Sequence, residues 1–213
     1  MTKNESWSKA TTAIFNGILL YSIAGVLKSI VDPIESLMSI VGSVSGGNDV
    51  ADGLTAFTYL LSAGIIGGYV LYLLGLNSFG EILEANDSAS VGKIRTGVIL
   101  GLVGIVLGLL PLAGWILGGI ANIIAFIMMM TGYSALKNSQ TFPARARRGA
   151  GTLYTSQILL IIGVVLGWIP VLGGVFEGIL GLIAFILVLS GWSTIKNTQP
   201  EAPTYSMPGA PQQ

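Results

Sequence analysis

The chain of 213 residues has no cysteine and no histidine, and only ten acidic and ten basic side chains. Without cysteine there is no disulfide, no thiolate nucleophile and no iron–sulfur ligand set. Without histidine the commonest metal ligand and general base is missing. Charged residues make up 9% of the chain, against about a quarter in an ordinary soluble domain. So little charge cannot cover a globule in water. The net charge is zero, which removes any bulk attraction to nucleic acid. No catalytic set, cofactor motif or metal site is expected, and the glycine-rich runs lack the lysine-serine and strand context of a phosphate-binding loop. The chain reads as a non-enzyme.

What the chain has is apolar length. Hydrophobic residues make up 52%, and mean hydropathy is +0.78. Apolar stretches of about twenty residues point to membrane spans. Two of them also match each other at a constant offset of 59 residues. Residues 99–138 read ILGLVGIVLGLLPLAGWILGGIANIIAFIMMMTGYSALKN, and 158–197 read ILLIIGVVLGWIPVLGGVFEGILGLIAFILVLSGWSTIKN. Gly104 falls on Gly163, Pro111 on Pro170, Gly132 on Gly191 and Lys137 on Lys196. A repeat at fixed period signals a duplicated structural unit.

Each unit must double back. An unbroken helix over 96–136 would be about 60 Å long, twice the bilayer core. Proline stops a helix and glycine permits the turn, so the breaks are expected at 111–114 and 170–174. The first part, 96–110, is short for a span, and a re-entrant hairpin is the alternative. Gly68-Tyr69-Val70 aligns with Ala125-Phe126-Ile127, and Gly75 with Gly132, so residues 10–86 read as a diverged first copy. A span over 10–31 is expected to end at Asp32-Pro33. An extracytoplasmic amphipathic segment and loop follow near 32–53, and a second span covers 54–76. A cleaved leader is disfavoured by Glu5 and by apolar sequence running on past Ala24. The expected fold is an all-α integral membrane protein of six transmembrane helices in three tandem hairpins. Their bounds are 10–86, 87–144 and 145–198, with a cytoplasmic N-terminus over 1–9 and a disordered Pro/Gln-rich tail over 199–213.

Charge orients this arrangement. All basic residues except Lys28 fall on the side of the termini and the inter-hairpin linkers, and basic loops stay in the cytoplasm. Lys28 lies four residues before Asp32, where an i,i+4 pair can form. Tyr133 and Trp192 are expected in the aromatic belt at that interface. Arg145, Arg147 and Arg148 read as a topology signal and an anionic-headgroup contact. The composition resembles that of small prokaryotic inner-membrane proteins, so a prokaryotic plasma membrane is the expected location.

Glycines recur at helical spacing: Gly97, Gly101, Gly104 and Gly108; Gly114 and Gly118; Gly163 and Gly167; Gly174, Gly178 and Gly181. In lipid, such faces let helix backbones approach closely. Asn16, Ser62, Asn122, Thr131 and Ser190 are polar residues within spans, and interhelical hydrogen bonds are expected of them. Glu177 is an acid in an apolar repeat. A helix-start position near the interface is favoured over an ion or proton contact. The function expected is that of a structural or accessory membrane protein, self-associating or docked in a larger membrane complex, with the lipid bilayer as its other partner. A small ion or solute transporter or channel is the alternative.

Overall fold

A computed structural model describes residues 2–45, 49–108, 110, 114–167, 169 and 173–200; the side chains of 41–45, 49–52, 108, 115, 173, 174 and 177 are outside it. Six helices are present among the described residues: α1 (Lys3–Ser45), α2 (Asp49–Glu81), α3 (Ala85–Gly108), α4 (Gly114–Asn138), α5 (Ala144–Gly167) and α6 (Gly173–Lys196). All six are long and apolar enough to cross a membrane. The apolar stretch from 96 to 108 is the distal part of α3, which reaches back to Ala85. At 24 residues α3 is about 36 Å long and needs no thinned bilayer.

The helices pair in chain order, α1 with α2, α3 with α4 and α5 with α6. Each pair is antiparallel and meets at glycine. A Cβ added at Gly75 would stand 3.0 Å from the Ala10 carbonyl oxygen; at Gly132, 2.8 Å from that of Ser90; at Gly191, 2.9 Å from that of Gly149. Gly17 and Gly68 make a second crossing between α1 and α2, where each faces the other's carbonyl oxygen. Only a residue without a side chain allows this approach, which gains dispersion contacts along both backbones. Helices α3 and α5 end alike: Leu110 N donates to Leu107 O, and Ile169 N to Leu166 O, each at 3.0 Å. At Gly114 the returning chain lies against Leu107 and Leu110, so the chain reverses there.

The pairs close into a ring. Helix α2 meets α3, α4 meets α5, and α6 returns to α1. Two of these seams carry the same contact. Lys137 Nζ lies 4.7 Å from the centre of the Tyr154 ring, and Lys196 Nζ 5.0 Å from that of Phe15. A cation over an aromatic face is attractive. At the third seam Arg95 Nη1 donates to Asn77 Oδ1 at 2.6 Å.

Two expectations are corrected here. Pro33 does not end the first helix: α1 runs through it to Ser45, and α2 begins at Asp49. The expected loop over 32–53 is therefore helical on both sides of 46–48, which lie outside the described residues. Proline removes one backbone donor, and other contacts offset that loss. Lys28 pairs with Asp32 at 2.9 Å. Glu35 accepts hydrogen bonds from Thr55 Oγ1 at 2.6 Å and Thr58 Oγ1 at 2.8 Å, tying α1 to α2 beyond the proline. At 43 residues, α1 is about 65 Å long, nearly twice the length of α3 to α6. Second, Tyr133 and Trp192 do not form an interfacial belt. Both are buried, because each follows the crossing glycine of its helix and points into the centre of the ring.

Candidate functional site

The axis of the ring is filled at the end where α1 begins and α6 ends. Trp7 of α1 meets Phe79 of α2 edge-on at 4.8 Å between ring centres, and both contact Phe142 of the α4–α5 connection. Phe79 also meets Trp192, which lies edge-on to Tyr72 and Tyr133. Leu76, Leu136, Leu153 and Ile195 are buried around this cluster. Aromatic rings in edge-to-face contact pack densely and exclude water.

On the far side of this plug from the start of α1 lies a cavity of ≈ 310 Å³ to which all six helices contribute. Tyr21, Tyr69, Tyr72 and Tyr133 form one wall. Tyr21 and Tyr69 stack at 4.5 Å, and the Tyr72 and Tyr133 hydroxyls are 3.3 Å apart. Gly97 and Gly101 of α3 leave room for it, and Asn122, Phe126, Leu160 and Val188 complete much of the opposite side. No charged side chain lines it among the described residues.

Two amides border this space. Gln157 of α5 is 5% exposed, and its Oε1 has no hydrogen-bond partner among the described residues. Buried polar atoms are rarely left unpaired. Asn122 also lines the cavity, with its amide group laid over Gly104, 2.7 Å from where a Cβ would stand. No interhelical hydrogen bond of Asn122 is made among the described residues. Ser62 and Thr131 likewise bond within their own helices, to Thr58 O and Met128 O, as hydroxyls in helices commonly do.

The other expected residues are distributed as follows. Gly97 faces Ala125 O and Met129, and Gly101 stands 4.0 Å from Ala125 Cβ. Gly104, Gly114, Gly118 and Gly163 are buried, and Gly167 is half-buried. Nothing among the described residues lies within 4 Å of a Cβ at Gly178 or Gly181, so neither packs against another described helix. Gly108 and Gly174 belong to α3 and α6, and Glu177 to the start of α6; what surrounds the Glu177 carboxylate lies outside the described residues. Arg147 Nη1 donates to Ser139 O at 3.2 Å, while Arg145 and Arg148 are exposed. No group of acidic residues able to hold a metal ion occurs among the described residues. Reading the sequence alone missed Gln157 and the tyrosine wall. It also passed over the crossing glycines Gly17, Gly68, Gly75, Gly149 and Gly191 as packing residues, whereas Gly132 was expected on the small-residue face that Gly114 and Gly118 begin.

No family model, curated protein or solved structure matches the chain.

Proposed function

We propose that the chain is an integral membrane protein of three tandem hairpins, with both termini and the 139–151 linker in the cytoplasm of a prokaryotic cell. In this reading it is a structural or accessory subunit that packs by small-residue helix faces, either with itself or within a larger membrane complex. The repeat is supported by register. Gly75, Gly132 and Gly191 occupy equivalent positions. The next residues, Leu76, Tyr133 and Trp192, are all buried, and so are Phe79, Leu136 and Ile195 a turn later. Orientation is supported by the basic residues at the end of the terminal plug.

The observation that carries the accessory role is the open glycine surface of α6. Gly178 and Gly181 are unopposed within the chain, as is Gly119 on α4. Around them Val175, Ile179, Leu182 and Ile186 are exposed. Such a face suits another helix in the bilayer. The aromatic plug counts against a continuous polar path of the kind a channel needs. Cysteines at Gly178 and Gly181 test this in native membranes at native expression. Oxidative cross-linking to a second copy or to another membrane protein is expected. Exclusively uncross-linked chain at both positions would sink the proposal.

A further inference from the structure

We propose that the axial cavity is a binding site for a small neutral ring compound carrying a hydrogen-bond-donating hydroxyl, of the phenol or hydroquinone class. Three observations converge on this class. First, the walls are ring faces and aliphatic side chains from every helix, and aromatic walls favour a flat ring through offset and edge contacts. Second, no charged side chain lines the space among the described residues. A charged ligand would enter an apolar site without a counter-ion, so the ligand is neutral. Third, Gln157 Oε1 is a buried acceptor without a partner. The terminal torsion of glutamine is broad, so the amide can turn toward the cavity and accept from a ligand hydroxyl. The Tyr72–Tyr133 hydroxyl pair and Asn122 offer further donors and acceptors for a second polar atom on the ring.

Size narrows the choice. A volume of ≈ 310 Å³ lies at the low end of small-molecule sites, which suits one ring with short substituents. An acyl chain would fill the apolar wall and leave the Gln157 oxygen unpaired, as it is now. A hydroxylated ring satisfies both the wall and the amide.

The full chain in phosphatidylcholine nanodiscs is titrated calorimetrically with 2,6-dimethylhydroquinone, and heats from empty nanodiscs are subtracted. Its dimethyl ether, which has the same ring and no donor, is the comparison probe. Saturable one-to-one binding of the hydroquinone is expected, weakened about tenfold or more by the ether and by Gln157→Leu. Leu160→Phe narrows the cavity from the same helix and is expected to abolish binding. If Gln157→Leu does not fold, Leu160→Phe carries the test. Absence of saturable binding overturns the proposal, as does equal affinity for the ether or unchanged affinity in the folded variants. The cavity would then hold only water or lipid tails. These outcomes are independent of cross-linking at α6, so the ligand site and the accessory role stand or fall separately.

Discussion

The indole Nε1 of Trp7 donates a hydrogen bond to the carbonyl oxygen of Ile195 at 3.0 Å, across 188 positions of sequence. It joins the first turns of α1 to the last turn of α6 and closes the ring at a buried point. Trp7→Phe keeps most of the ring contacts and removes this hydrogen bond, leaving the carbonyl to accept from Thr198 N alone. The expected loss is about 1–2 kcal/mol, and Trp7→Ala should lose about 3–5 kcal/mol. Thermal unfolding in mild detergent distinguishes them, and equal midpoints for wild type and both variants would refute this account of closure.

The crossing glycines should separate from the open ones. Gly132→Leu and Gly191→Leu place a side chain against a backbone carbonyl about 3 Å away, which neither helix can avoid without parting. Gly104→Leu meets the Asn122 amide and should also be damaging. Gly178→Ala and Gly181→Ala meet nothing within the chain and should leave monomer stability within about 0.5 kcal/mol. Expression and detergent melting temperatures that fail to rank the two groups in this order would contradict the packing described.

Opposite labelling is expected for the two ends of the ring. A cysteine at Ser139 should react only from the cytoplasm and one at Ser45 only from outside sealed cells. Labelling of both by an impermeant reagent from outside would rule out the proposed orientation.

Glu35 should matter locally. With Glu35→Ala the two threonine hydroxyls lose their shared acceptor, and the far ends of α1 and α2 should separate. Faster amide exchange is expected over 30–40 and 53–60, with protection around Trp7, Phe79 and Trp192 unchanged. Uniform exchange across the chain would show that Glu35 does not clamp this end.

Glu177→Gln removes a carboxylate from the start of α6. If the acid only complements the helix dipole, stability falls by roughly 0.3–1 kcal/mol and cell growth is unaffected. An ion flux in reconstituted liposomes, abolished by this substitution, would instead favour transport.

The six long apolar helices were legible because they follow from local chemistry, while most of the expected breaks at 111–114 and 170–174 lies outside the described residues. Apolar length and the spacing of Lys28 and Asp32 each act within a few residues. Pro33 misled because its local preference was opposed by Glu35 reaching Thr55 and Thr58 on another helix. Glycine spacing showed which residues share a face and not what the face meets. Gly178 and Gly181 therefore read like Gly132 and Gly191, although only the latter two meet another backbone. The cavity was illegible for the same reason. Gln157, Tyr21 and Tyr72 come together only when three helix pairs curve round one axis. The buried aromatics were visible as residues, but their inward direction depends on α6 returning to α1.

That return sets an order of events. Helix α1 leaves the ribosome before α6, the helix that covers its flank. Throughout synthesis of the intervening segments, the Trp7 and Phe15 side of α1 waits without α6, and a chain truncated before Ile195 never gains the carbonyl that Trp7 meets. Loss of α6 therefore uncovers the first helix as well as its own partner α5.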